Sequence, residues 1–86
     1  MAKENQERIS ILRVKQVMGR TGHTRSTLYL RIQQGTLPKP VSIGPRAVGW
    51  PSDEIEAINT ARIAGKTDEE IIVLVAKLEL ARKTAK

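Results

Sequence analysis

The residues of this chain that can do chemistry are its cations, because one long stretch contains no acid to neutralise them. Between Arg8 and Ser52 there are eight basic residues and no Asp or Glu, and all nine acids lie outside this stretch. The basic residues are Arg8, Arg13, Lys15, Arg20, Arg25, Arg31, Lys39 and Arg46. A stretch with charge of one sign attracts a partner of the opposite sign, and the main candidate is a nucleic-acid backbone.

Size and composition restrict the classes of protein to which this chain can belong. With 86 residues and a formal net charge of +6, the chain has room for one domain. It contains no cysteine, which excludes disulfides and favours the cytosol. No apolar run approaches the roughly 20 residues of a membrane span, and the polar N-terminus lacks a signal-peptide pattern. We therefore expect a cytoplasmic protein that makes no contact with a membrane.

Catalytic and metal-binding chemistry has little support in the residue types. His23 is the single histidine, and it has neither a cysteine nor an acid beside it that could complete a metal site or orient a general base. Gly65-Lys66-Thr67 is similar to part of a phosphate-binding loop, but that motif requires a glycine where Thr60 stands. We predict no enzymatic activity, no cofactor and no metal.

Two short helices are predicted inside the acid-free stretch. A brief strand over 11–13 leads into a helix over 14–20, whose apolar residues recur at helical spacing and which Gly22 ends. Thr24 is the predicted N-cap of the second helix, which Gly35 ends. Two helices joined by a short turn that contains glycine are typical of a helix-turn-helix.

A hairpin is predicted after the second helix. The two prolines in 37–40 forbid helix and favour extended chain. Segments 41–43 and 48–50 have the alternation of strands, and the turn residues of 44–47 connect them. A hairpin attached to a helix-turn-helix is a wing.

Two further helices are predicted where the acids begin. Ser52 is the predicted N-cap of the third helix, with Asp53 and Glu54 in its first turn, and Gly65 ends it. A Thr-x-x-Glu capping box at 67–70 starts the fourth helix. Its apolar stripe consists of Ile71, Leu74, Val75 and Leu78. This stripe is expected either to pack on its own domain or to mediate self-association.

The second helix is predicted to read DNA. Helix-turn-helix proteins place the N-terminal part of this helix against base edges in the major groove. Arg25 can read guanine through two hydrogen bonds, and Ser26 and Thr27 suit phosphates or either type of base. Tyr29 is predicted to be a half-buried packing ring or a phosphate donor, and these two roles are compatible. The alternative to DNA reading is that this face of the second helix is an ordinary surface exposed to solvent.

Two further candidate contacts lie after the second helix, one in the wing and one in the extended segment before it. Arg46 in the hairpin turn can bind a phosphate or enter an adjacent minor groove. Lys39 is predicted to help position the DNA backbone. Trp50, the single tryptophan, is predicted to anchor the core rather than to stack on a base.

Four segments carry a family resemblance through their order and spacing. They are ILRVKQV at 11–17, TGHTRSTLY at 21–29, GTLPKPV at 35–41 and GPRAVGW at 44–50. Together they resemble the AlpA family of phage and prophage regulators over residues 11–63. The resemblance implies a small winged helix-turn-helix related to phage excisionases and MerR-type DNA-binding domains. Leu37 and Ile58 depart from the family, which often has an aromatic residue and a tryptophan there, and both are expected in the core.

The resemblance also implies roles for residues and for the whole chain. Members of the family regulate transcription of prophage integrase genes or act as recombination directionality factors. It places Arg25, Ser26, Thr27 and Tyr29 on the recognition helix and Arg46 in the wing.

Residues and resemblance together predict a mainly α fold with a small β-hairpin. The expected parts are a disordered tail over 1–8, a winged helix-turn-helix domain over 9–64 and a C-terminal amphipathic helix over 65–86. The predicted function is sequence-specific binding of double-stranded DNA by a transcription regulator in the bacterial cytoplasm, associated with the nucleoid. An excisionase acting with an integrase and a protein-interaction adaptor using the C-terminal helix are the alternatives. The predicted protein partners are integrase, RNA polymerase or a second copy of the chain.

Overall fold

Seven elements lie within residues 9–84, the part of the chain that the computed structural model describes. In chain order they are β1 (Ile11–Leu12), α1 (Val14–Thr21), α2 (Arg25–Gln34), β2 (Val41–Gly44), β3 (Ala47–Pro51), α3 (Ser52–Ile63) and α4 (Asp68–Thr84). This architecture is a winged helix-turn-helix with a C-terminal helix, so the predicted fold class is confirmed. The tail predicted over 1–8 lies outside the described residues.

The turn between α1 and α2 forms from local capping residues, as the sequence predicts. Gly22 has a φ of 76° and donates its N–H to the carbonyl of Met18, which ends α1. The hydroxyl of Thr24 accepts from the N–H of Thr27 at 3.2 Å and caps α2. Gly35 ends α2 with a φ of 83°. Both glycines adopt the left-handed conformation that side chains disfavour, so these two helix ends are encoded locally.

The wing strands β2 and β3 belong to a three-stranded antiparallel sheet with the order β1-β3-β2, in which β3 is central. Strand β1 joins it through pairing of Leu12 with Trp50. A Cβ at Gly49 would overlap Cγ2 of Ile11 and lie 3.0 Å from the carbonyl oxygen of Leu12. Glycine at this position therefore allows β1 to lie close to β3, which attaches the wing to the start of the helix-turn-helix.

One core connects the helices to the sheet. Trp50 is fully buried, as predicted, and its Nε1 donates to the carbonyl of Pro38 at 2.8 Å. Leu37 and Ile58, the two departures from the family pattern, are also buried, which confirms their place in the core. The buried apolar residues are Leu12, Val17, Leu28, Leu37, Trp50, Ile55, Ile58, Ala61, Ile71 and Val75. The last two belong to α4, so its apolar stripe packs on its own chain.

The start of α3 differs from the prediction. Pro51 occupies the N-cap position and makes no side-chain cap, so the prediction of Ser52 as the N-cap is wrong. Ser52 pairs with Ser10 instead: its hydroxyl accepts from the N–H of Ser10 at 2.9 Å, and its N–H donates to the carbonyl of Ser10 at 2.8 Å. Because β1 runs alongside Pro51, a backbone donor from a distant segment takes the hydroxyl that a local cap would use.

The connection between α3 and α4 follows the predicted signals. Gly65 has a φ of 84° just after α3. Thr67 and Glu70 then form the predicted capping box, in which each backbone N–H donates to the side chain of the other residue, at 2.9 and 3.2 Å. The hydrogen bond from the Thr67 backbone is the main cause that lowers the pKa of Glu70. None of the helices within 9–84 is long and apolar enough to cross a membrane.

Candidate nucleic-acid interface

Four cations converge on one open depression of about 480 Å³. The residues that line it are Arg13, Val14, Lys15, Arg25, Arg46 and Val48. Arg13 immediately precedes α1, Lys15 lies in its first turn, Arg25 is the first residue of α2, and Arg46 is in the turn between β2 and β3. We call Arg13, Lys15, Arg25 and Arg46 the cationic cluster. None of the described residues lining the depression is acidic, so the cluster offers a site for a polyanion.

The two helix ends beside the cluster add to its positive potential. Neither α1 nor α2 has an acid in its first turn, in contrast to α3 and α4. The exposed N–H groups of a helix N-terminus carry partial positive charge and bind phosphate oxygens. The cap of α1 is neutral, because the Gln16 side chain accepts from the Arg13 N–H at 2.8 Å. Charge from side chains and backbone therefore has the same sign on this surface.

Arg46 sits at the tip of the wing in an uncommon backbone conformation. Its φ of 60° is the left-handed one, and among the described residues it is the only non-glycine residue with a positive φ. Such a conformation disfavours an L side chain by about 1–2 kcal/mol. A glycine in this turn would avoid that penalty, and the arginine supplies a charge that glycine lacks.

The outer face of α2 is open along the predicted reading side. Ser26 is exposed, and Tyr29 and Leu30 are 42% and 47% exposed, whereas Leu28 is fully buried in the core. Thr27 is half-buried, and its hydroxyl oxygen accepts from the hydroxyl of Thr24 at 3.1 Å.

Lys39 is not brought together with the cationic cluster. Its backbone faces α4: the N–H donates to the carboxylate of Glu79 at 2.8 Å, and the carbonyl accepts from Arg82 at 2.7 Å. The Lys39 side chain is exposed, but it is absent from the residues that line the depression. The structure thus groups Arg25 with Arg46 and separates both from Lys39.

The helix-turn-helix and wing match a known family. The family profile described as prophage CP4-57 regulatory protein (AlpA) covers residues 10–61. The chain belongs to the AlpA family. The matched residues run from β1 into the last turn of α3. They therefore include the whole cationic cluster of this AlpA-family chain and exclude α4.

A phage protein is similar to more than half of this AlpA-family chain. The chain is similar to uncharacterized protein ORF88 of Enterobacteria phage P4, with 44% identity over 55 residues. The match covers 64% of this chain and 62% of that relative. No solved structure matches the chain. Membership of a regulatory family of prophages therefore comes from the sequence match, and the geometry of the site comes from the fold.

Two residues of the cationic cluster in this AlpA-family chain were not predicted from the sequence as site residues. From the sequence, Arg13 and Lys15 are only two of the eight basic residues of the acid-free stretch, and neither is predicted to make a specific contact. The fold gives them a position, because the hairpin of β2 and β3 carries Arg46 to the N-terminus of α1. The local signal that could have found them is a helix start with two cations and no acid in its first turn.

A second cleft of about 420 Å³ lies between the helix-turn-helix and α3 of the AlpA-family domain. His23 lines it, and burial is the main cause that lowers the pKa of His23, with Arg31 and Arg62 adding to the effect. On its α3 side, the Asn59 side chain donates to the Arg20 carbonyl, and Arg62 forms an ion pair with Asp68. Among residues 9–84, no group of three or more metal-ligating side chains is placed to hold an ion.

Proposed function

We propose that this AlpA-family chain binds double-stranded DNA in a sequence-specific manner and regulates transcription of phage or prophage genes. The observation that carries the proposal is the convergence of the four cations on the N-termini of α1 and α2 and on the wing tip. Three separate elements present one sign of charge without an acid between them. A DNA backbone provides the closely spaced phosphate charges that such a surface attracts.

The fold supports one docking arrangement, which is part of the proposal. The N-terminal part of α2 enters the major groove, where Arg25 binds a guanine edge and the exposed Ser26 lies beside it. Thr27 and Tyr29 donate their hydroxyl protons to phosphates on the flanks of α2. Arg46 contacts the neighbouring backbone or minor groove from the wing, and Arg13 and Lys15 bind phosphate oxygens between the two. Lys39 contributes its charge from outside this footprint.

The biological setting of the proposal follows from the family description and from the predicted partners. The chain acts on DNA of the bacterial nucleoid in the cytoplasm, and it needs no cofactor. RNA polymerase is the partner that a promoter site brings close to it. The family is a regulatory one, and this favours a regulator over an excisionase that acts with an integrase.

Changing Arg25 to alanine separates base reading from general attraction. On a duplex that the chain prefers, we expect the variant to lose about 1–3 kcal/mol of binding free energy, because a bidentate contact to a base disappears. On a shuffled duplex the loss should be smaller, since only a charge is removed. Titration of both duplexes at one salt concentration gives the comparison.

The matched control is Lys77→Ala, which removes an exposed cation from α4, away from the depression. It should leave both affinities nearly unchanged. Equal losses on the preferred and the shuffled duplex for Arg25→Ala would show that Arg25 does not read a base.

A further inference from the structure

We infer that Arg82 of α4 is a positioning residue for DNA binding, because it fixes the segment that connects the recognition helix to the wing. This inference rests on the proposed function. Arg82 binds Glu54 of α3 with two hydrogen bonds, from Nε to Oε2 at 2.8 Å and from Nη2 to Oε1 at 2.6 Å. The same Nη2 donates to the carbonyl oxygen of Lys39 at 2.7 Å. One guanidinium therefore joins α4, α3 and the connecting segment.

The ion pair is well shielded from water. The Glu54 side chain is 6% exposed and that of Arg82 is 23% exposed. A buried carboxylate needs its partner, because a lone charge in the interior is strongly disfavoured. The pair thus holds Arg82 in one place, and its Nη2 also donates to the Lys39 carbonyl. The exposed pair of Arg62 and Asp68, at the junction of α3 and α4, has no such restraint.

The connecting segment depends on these contacts from outside. Pro38 and Pro40 have no N–H groups, so Lys39 supplies the one backbone donor of 38–40. That donor binds the carboxylate of Glu79 on α4 at 2.8 Å. On the opposite side, the Trp50 indole donates to the Pro38 carbonyl at 2.8 Å. The segment is therefore held between the core and α4, and both polar backbone groups of Lys39 are bound by α4.

The position of the wing relative to α2 follows from this arrangement. The segment leaves α2 at Gly35 and enters β2 at Val41, so its conformation sets how Arg46 approaches Arg25. Helix α4 contributes no residue to the depression, and it acts on the wing only through this segment, in addition to the pairing of β1 with β3. Glu54 lies within the matched family region 10–61, but Arg82 lies beyond it. The matched domain alone would leave the buried Glu54 without this partner.

The variant that tests the inference replaces the ion pair by apolar residues, Glu54→Leu with Arg82→Met. Such replacements of buried pairs are often neutral for stability, so the domain stays folded while Lys39 loses its carbonyl partner. The matched control is Arg62→Met with Asp68→Leu, which removes an ion pair between the same two parts of the chain but touches nothing near Lys39. Glu79→Ala, which removes the acceptor of the Lys39 N–H, is a second and milder variant.

The first readout is DNA affinity measured in a double-mutant cycle with Arg46→Ala. If α4 positions the wing, the pair replacement weakens binding, and the loss caused by Arg46→Ala becomes smaller in that background than in the wild-type chain. In the control background, Arg46→Ala keeps its full effect. An effect of Arg46→Ala that is the same in all backgrounds overturns the inference, because it shows that the wing contact does not depend on the pair.

The second readout needs no DNA. Amide hydrogen exchange of the free protein is expected to become at least about tenfold faster at Lys39 and along β2 in the pair replacement, because local opening becomes easier. Amides of α1 should keep their wild-type rates, and the control should change neither. Unchanged exchange at Lys39 overturns the inference, even for a chain that binds DNA. Failure of the wild-type chain to bind any duplex refutes the proposed function instead, and the exchange rates then decide by themselves whether α4 holds this segment.

Discussion

Replacing all four residues of the cationic cluster by glutamine is expected to weaken DNA binding about a thousandfold at physiological salt, because counterion release from the phosphates they neutralise is lost. The four changes are Arg13→Gln, Lys15→Gln, Arg25→Gln and Arg46→Gln. The slope of log affinity against log salt should fall in magnitude by about 1.8 to 2.7, since two or three phosphate contacts disappear along with the base contact of Arg25. Titrations of one duplex at several salt concentrations measure both quantities.

A control variant with the same net charge as the cluster variant distinguishes a localised binding site from the general electrostatic attraction of a positively charged protein. Four cations away from the depression can be changed to glutamine in the same way, namely Arg62, Lys66, Lys77 and Lys83. Both variants lower the formal net charge from +6 to +2. Long-range attraction would fall in both, whereas direct phosphate contacts would be lost in the cluster variant alone. Equal losses of affinity and of salt slope would contradict a localised interface.

Ending the chain after Gly65 is expected to unfold it. The truncation removes Ile71 and Val75 from the core, and burial of each such side chain stabilises by about 1.5–3 kcal/mol. It also removes Arg82, and leaving the buried Glu54 without a partner costs about 3–5 kcal/mol. Small domains have only about 5–15 kcal/mol of stability in total. Circular dichroism and urea titration of the truncated and full chains test this.

The control for the truncation keeps α4 but changes its outer face. Val73 and Leu80 are 55% and 63% exposed, so Val73→Ser with Leu80→Ser should change the free energy of unfolding by about 0.5 kcal/mol or less at each site. This variant is also the better test of self-association through α4, because truncation disturbs the core. A truncated chain with a cooperative urea transition close to that of the full chain would contradict the role of α4 in a single core.

Local chemistry was enough to predict the helix ends that depend on neighbours in sequence. Gly22, Thr24 and Gly35 act within one turn of their own helices, and the capping box of α4 spans four consecutive residues. Amphipathic periodicity likewise predicted the apolar stripe of α4, of which Ile71 and Val75 are buried in the core and Leu74 and Leu78 pack against it. The turn and strand signals predicted the wing, and the helix-turn-helix pattern predicted the recognition helix. The resemblance to a family agreed with both and added the link to phage regulation.

The features that the sequence did not predict depend on pairs of distant residues. Glu54 and Arg82 each fit the dipole of their own helix, and this local role hides their contact across 28 residues. Ser52 fits a helix N-cap, but Ser10, which is 42 residues away, takes its hydroxyl. Each residue has a sufficient local explanation, so only the tertiary fold decides between the local and the distant partner.

Selection of bound duplexes from a random pool tests the central claim most directly. The full chain is incubated with the pool at physiological salt, bound duplexes are recovered, and their sequences are determined over several rounds. We expect enrichment of one short motif, because the N-terminal part of α2 reads base edges in the major groove. Recovery of duplexes without any enriched motif, or no recovery at all, would contradict sequence-specific DNA binding by this chain.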